Sequence, residues 1–327
     1  MITTTTLSTT TTAAPAKAET YEEAALEKSK KHGLVFLHLL NEGYVEMTRS
    51  WICNVLPFKT VLEKTLFLVT DQNAYEKLKN WKPELNVFLV PYDTPKSMQY
   101  GQKVYYQYMQ FRTRLYLKLL KAGVKLWIVE ADAVWFKDPA SFVLNEPDYD
   151  LLTGQDGGLG DNIPEAGFLF LNPTPTTVKM WTALESQLTR TLDSSRDANM
   201  GDGGSEMLML GDMLRGSKEI KWKYLPNKHF CGGKWYQGGP LKQQSDPVVI
   251  QVSVFPPHPL PSFSLSPPPS TPSPQPTPPP TEQLDHRKQC KNGAGKTVET
   301  LVPSGRWEDV YEIVKLTCPT SQHLPTS

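Results

Sequence analysis

Two acidic side chains one residue apart, Glu130 and Asp132, stand inside the segment Lys125-Leu-Trp-Ile-Val-Glu-Ala-Asp-Ala-Val-Trp135, with apolar chain on both sides. Carboxylates set against apolar surface are costly unless a metal ion, a base or hydrogen bonds neutralise them. Such oxygen donors suit a hard divalent cation, Mg²⁺ or Mn²⁺, and a diphosphate can complete the shell. The plainer reading is a pair of acids that meets solvent where a strand ends. Strand alternation turns both carboxylates to one side and Ala131 to the other, so that two oxygen ligands face one point.

Other polar groups could join them. Asp156 sits in Gly154-Gln-Asp-Gly-Gly158, where glycines allow close backbone approach, and reads equally as a turn aspartate. Asp202 and Glu206 flank Gly203-Gly-Ser205 ahead of a helical stretch, as site residues or as helix-capping acids. Arg112 and Arg114 lie on the helix before the acidic segment, where a guanidinium fork can reach a phosphate or simply meet solvent. His229, in Pro226-Asn-Lys-His-Phe230, is a candidate third metal ligand or an ordinary loop histidine. The run Gly293-Ala-Gly-Lys-Thr297 is a false phosphate loop. Its required first glycine falls on Cys290, and proline-rich chain stands where the strand should be.

These groups need elements to hold them. Continuous apolar runs of strand length occur at 33–40, 65–70, 86–90 and 125–129. Between them lie a helix over 44–55, with Val45, Trp51, Ile52 and Val55 on or near one face, a helix capped by Asp71, and a long helix over 100–122 that ends at Gly123. Apolar strands separated by helices specify an α/β fold: a mostly parallel, Rossmann-type sheet covered on both faces, with right-handed crossovers. Ligands of such sheets gather beyond the carboxyl ends of the strands, where Glu130 and Asp132 fall. Shorter strands follow at 149–153 and 166–171, helices at 176–192 and 205–214, and a last strand at 222–225.

The chain has 327 residues, 39% of them hydrophobic, enough for one sizeable core. Lys+Arg and Asp+Glu number 34 each, so no global field draws it to nucleic acid or an anionic membrane. Cys53, Cys231, Cys290 and Cys318 form no Cys-x-x-Cys pair, which excludes a zinc knuckle and a thioredoxin motif but leaves both disulfide and reduced thiols open. Segment 1–30 begins Thr/Ala-rich and is expected to be a disordered arm or stalk; 31–251 is the folded domain; 252–327 is an atypical tail with a Pro/Ser/Thr run over 256–280. Neither a signal peptide nor a membrane anchor is visible, so a soluble form or a misplaced start is expected.

The segment Ile128-Val-Glu-Ala-Asp-Ala-Val-Trp-Phe-Lys-Asp-Pro139 resembles the Asp-x-Asp region of nucleotide-diphospho-sugar transferases. Within them it is most similar to the group holding plant rhamnogalacturonan xylosyltransferases, which move xylose from UDP-xylose to fucose. The resemblance runs from about residue 33 to 251. It takes in Asp150-Leu-Leu-Thr-Gly-Gln-Asp156, Gly167-Phe-Leu-Phe-Leu-Asn-Pro173 and Pro247-Val-Val-Ile-Gln251.

The resemblance implies a GT-A fold in a single domain, Mn²⁺ or Mg²⁺, a UDP-sugar donor, a glycan or glycoprotein acceptor, retention of configuration, and a Golgi type II protein. It implies that Asp132 binds metal and diphosphate. Glu130, standing where the family has its first aspartate, would contact the metal or the ribose. Asp156 matches the approach to the donor sugar, and Asp202 and Glu206 stand where relatives carry an Asp-Gln pair. On that basis Asp156 and Glu206 are the catalytic candidates, and Arg112 and Asp202 further donor contacts.

After Gln251 the family continues with an Asn-Asn-aromatic stretch and an apolar closing segment, whereas this chain reads Val252-Ser-Val-Phe-Pro-Pro257. The switch reads as a gene-model error or as a genuine isoform tail. It keeps open a catalytically silent nucleotide-sugar binder, or a scaffold whose proline run docks to SH3- or WW-type domains. Metal-dependent phosphoryl transfer shares the acidic pair but lacks a phosphate loop.

Overall fold

The chain folds around Val35–Leu40 (β1), the first apolar run, whose alternate residues feed two separate cores. Val35 and Leu37 pack on one side of the sheet, Leu34 and Phe36 on the other, and all are fully buried. A strand covered on both faces has no polar side, which is why the run reads as continuous. The computed structural model describes residues 20–155, 163–232, 235 and 243–251. The expected Thr/Ala-rich arm over 1–19 and the tail over 252–327 lie outside them.

The described chain starts earlier than expected. Residues 21–30, assigned above to a disordered arm, belong to Tyr21–His32 (α1). Thr20 caps it reciprocally: Glu23 N donates to Thr20 Oγ1 at 3.2 Å, and Thr20 N donates to Glu23 Oε2 at 3.0 Å. Ala24 and Ala25 are buried against the core, and Gly33 ends the helix at φ +83°.

Next come Val45–Val55 (α2), Val61–Lys64 (α3), Thr65–Val69 (β2), Gln72–Trp81 (α4), Val87–Leu89 (β3), Lys103–Lys121 (α5) and Leu126–Val129 (β4). Then follow Ala133–Trp135 (β5), Ala140–Leu144 (α6), Leu151–Gln155 (β6), Pro164–Leu171 (β7), Pro175–Ser194 (α7), Glu206–Gly216 (α8) and Trp222–Tyr224 (β8). Phe230–Cys231 (β9) and Val249–Gln251 (β10) complete the described chain. Asp71 caps α4 as expected, accepting from Ala74 N at 2.8 Å.

The main sheet has the order β3-β2-β1-β4-β7-β6-β8. Four of its pairings are parallel, and the two made by β7 are antiparallel. The expectation of a mostly parallel α/β sheet holds. The link from β6 to β7 is too short for a crossover, so β7 can only enter antiparallel. Helices α5, α7 and α8 cover one face through Leu119, Trp181, Leu184 and Leu210; α2 and α4 cover the other through Trp51, Ile52 and Leu78. Among the described residues, no helix is long and apolar enough to cross a membrane.

Three short strands missed by the sequence reading form a second sheet, β5-β10-β9. Strand β10 runs antiparallel to β5, with Gln251 opposite Ala133 and Val249 opposite Trp135. The last described residues of the domain therefore close over the turn that follows β4.

Mid-strand in β1, His38 is 1% exposed among Trp51 and Phe67, its Nε2 3.1 Å from Thr48 Oγ1. Burial lowers its pKa from 6.5 to about 3. Between those values the unfolded chain binds a proton that the fold refuses, so stability falls as pH drops through that window, by up to about 1.4 kcal/mol per unit. We expect urea unfolding at pH 7 and pH 4 to show a larger loss for the wild type than for His38→Gln. Equal losses would reject the role.

Candidate active site

Strand β4 ends at Val129, and Glu130-Ala131-Asp132 make a turn into β5, closed by Ala133 N donating to Glu130 O at 3.3 Å. The strand does not run on through the acids, so alternation is not what aligns them. A shared partner is. Gln251 Nε2 lies 2.8 Å from Glu130 Oε2 and 2.6 Å from Asp132 Oδ1, so the two N–H groups of one amide hold both carboxylates. Register explains the meeting: Gln251 pairs with Ala133, the neighbour of Asp132.

On the far side, Arg112 of α5 reaches Glu130 Oε1 through Nη1 at 3.2 Å and Glu206 Oε1 through Nη2. Arg112 is 8% and Glu206 4% exposed, and Thr113 Oγ1 stands 3.5 Å from the second Glu206 oxygen. Burial works against the Arg112 charge, but Glu206, Tyr116 and Glu130 outweigh it and its pKa is raised well above the usual value. Burial likewise pushes Glu206 up, opposed by the guanidinium it touches. Arg112 thus joins two acids from inside, and its fork is occupied rather than free for a phosphate.

Asp132 is buried beside a like charge. Burial first, and then the neighbouring Glu130 carboxylate, raise its pKa well above the ordinary range. Two converging acids with too little positive charge between them are the donor set a divalent cation needs. Tyr44 and Tyr105 feel the charges of this group. Burial raises the pKa of both; at Tyr44 the next causes are Asp132 and Glu130, and at Tyr105 Arg112 partly offsets the rise that Glu130 adds to. Tyr44 is 38% exposed.

The remaining sequence candidates fall elsewhere. Glu206 was expected to be catalytic, but both its oxygens are held by Arg112 and Thr113; it anchors the guanidinium. The cap of α8 is Ser205, which accepts from Leu208 N at 3.4 Å, and neither Glu206 nor Asp202 takes that place. Asp202 is exposed and accepts from Tyr100 Oη at 2.9 Å, at one end of a cavity of about 680 Å³ lined by Gln99, Tyr100, Gln102, Arg196 and Asn199. Arg114 points away and pairs with Glu185 at 2.7 Å.

His229 is not with the acids. Its Nδ1 lies 2.7 Å from Asp246 O and its ring is tilted against Phe142, beside the small sheet. Among the described residues, no three His, Cys, Asp or Glu side chains gather in a metal-holding group. Asp156 lies outside the described residues. Cys231 is buried, donates to Asn227 O at 3.2 Å, and has its pKa pushed up to about 11, so it is an inert thiol.

Sequence reasoning missed Gln251, Tyr44 and Tyr105. A signal existed for the first, a polar residue ending the apolar run Val248-Val-Ile-Gln251, which is the same pattern that singled out Glu130. The tyrosines carried none, because aromatic residues in or beside helices serve packing far more often than sites.

Comparison with known proteins gives the chain a family. The nucleotide-diphospho-sugar transferase family pattern matches residues 60–255, more than half of the chain. Beta-arabinofuranosyltransferase RAY1 of Arabidopsis thaliana is 25% identical over 221 residues, which are 63% of this chain and 40% of that protein. The chain therefore spans well under half the length of this curated relative. Among solved structures, the glycosyltransferase GlyE of Streptococcus pneumoniae TIGR4 aligns at 10% identity and a TM-score of 0.43, over 67% of this chain and 54% of that one. The bifunctional glycosyltransferase WbbM aligns at 10% identity and 0.44, over 67% and 45%.

Proposed function

We propose, from the premise that this chain belongs to the nucleotide-diphospho-sugar transferase family, that it is a metal-dependent glycosyltransferase passing a pentose from a UDP-sugar to a glycan. The observation that carries the reading is the convergence of Glu130 and Asp132 on one point at the carboxyl end of β4. Xylose was expected from the sequence, and the arabinofuranosyltransferase relative argues for the pentose class rather than for one sugar.

The acids would hold Mn²⁺ or Mg²⁺ together with the donor diphosphate, and such an ion offsets the charge that builds on departing UDP. Tyr44, exposed beside them, would take the nucleotide. Arg112 donates to Glu130 and keeps it fixed, and Glu206, which accepts from the other arm of the fork, holds Arg112 in place. Retention of configuration and a Golgi lumen remain the proposed stereochemistry and compartment, on family resemblance.

The test is a donor panel. Purified protein with Mn²⁺ and a series of UDP-sugars is expected to release UDP fastest from a UDP-pentose, and to lose that release in EDTA. Binding without release in any donor would identify a silent binder. Neither binding nor release in a folded sample would sink the nucleotide-sugar reading.

A further inference from the structure

We propose that Gln251 is the third protein ligand of the divalent cation, through its side-chain carbonyl Oε1 after the amide turns by half a revolution; this rests on the metal reading of Glu130 and Asp132. The position is already met. The amide atom facing the acids lies 2.8 Å from Glu130 Oε2 and 2.6 Å from Asp132 Oδ1. Neighbouring oxygens on a Mg²⁺ shell, with bonds of 2.0–2.1 Å at right angles, stand about 3 Å apart. The amide atom therefore already stands near the spacing that a ligand oxygen keeps from its neighbours.

The orientation follows the charge between the acids. With no cation there, the amide turns its N–H groups to the carboxylates, and Oε1 is buried with no hydrogen-bond partner among the described residues. With a cation there, the electrostatics invert and the oxygen is the end that faces inward. The final amide torsion is broad and two-fold, and its two ends are nearly the same size, so the exchange needs little room.

The fold commits this side chain to the place. Gln251 is 0% exposed, its backbone pairs with Ala133, and Gly167 of β7 leaves the space it fills. A methyl group at position 167 would stand 2.1 Å from Oε1. The expected third ligand, His229, is held by Asp246, so the third position falls to this neutral group. Two charged donors and one neutral donor also match a doubly positive ion.

The experiment uses the full chain, stripped with EDTA, with Mn²⁺ and UDP as probes and free Mn²⁺ followed by electron paramagnetic resonance. Gln251→Ala is expected to weaken Mn²⁺ binding by about 10-fold or more, and His229→Ala to leave it unchanged. In Gln251→His, pulsed spectra of the bound ion are expected to show the nitrogen coupling of a directly bonded imidazole, absent from the wild type. Unchanged affinity in a folded Gln251→Ala, or bound Mn²⁺ without that coupling in Gln251→His, would overturn the assignment. Mn²⁺ binding that is lost in Asp132→Asn but kept in Gln251→Ala rejects this inference alone; a wild type that takes up no Mn²⁺ rejects the metal reading and this inference with it. If Gln251→Ala does not fold, the Gln251→His spectrum decides.

Discussion

Arg112→Met is expected to destabilise the protein by roughly 3–5 kcal/mol, the range for removing one partner of a buried ion pair. The guanidinium is buried over the Tyr116 ring, and it contacts Glu206, which is only 4% exposed, as well as Glu130. Methionine fills much of the volume but leaves Glu206 with Thr113 Oγ1 at 3.5 Å as its remaining side-chain hydrogen bond. That carboxylate must then take up a proton or open the helix start to water. Removing both charges, as Arg112→Met with Glu206→Leu, is expected to recover most of the loss, because the pair's mutual attraction largely offsets its desolvation. Urea unfolding of the two singles and the double, read as a cycle, measures this. A single-variant loss below about 1 kcal/mol would show that the network is solvated rather than buried.

Asp132→Asn is expected to act in the opposite sense on stability. The substitution keeps the shape and an oxygen for Gln251 Nε2, and removes a carboxylate forced against Glu130. In EDTA the variant should unfold at the same temperature as the wild type or higher. Its sugar-transfer rate with Mn²⁺ should nevertheless fall by roughly 10²–10³, the effect of removing one group that stabilises developing charge. A residue whose loss leaves the fold intact and abolishes turnover is kept for chemistry. Full activity in a folded Asp132→Asn protein would remove the proposed metal site.

Both expectations come from contacts between residues far apart in sequence, and that separation sets how far the sequence could be read. The apolar runs of β1, β2 and β4, the cap at Asp71, and the helices α2 and α5 were legible because burial on both faces and capping are local constraints. Helix α1 was legible in principle, through Thr20 and Glu23, but lay against a Thr/Ala-rich stretch that carried the composition of an arm. Strands β5, β9 and β10 hold three residues or fewer and, unlike the equally short β3 and β8, were not read as strands, since so few residues carry little periodicity.

The acids that opened the case show where the division lies. By itself the sequence determined that Glu130 and Asp132 stand at the end of a buried strand, since an apolar run that stops at charged residues has to end at a sheet edge. Only the tertiary structure decided how they are held. They lie in a turn, not on a strand, so what faces them depends on which distant segments pair nearby. The antiparallel register of β10 on β5 brought in Gln251, 119 residues from Asp132, and the packing of α5 against α8 brought Arg112 to Glu206, 94 residues away. The same packing left His229 on the small sheet beside Asp246. Strand pairing and helix docking are settled by burial summed over the whole core, and no window of sequence around either acid contains that sum.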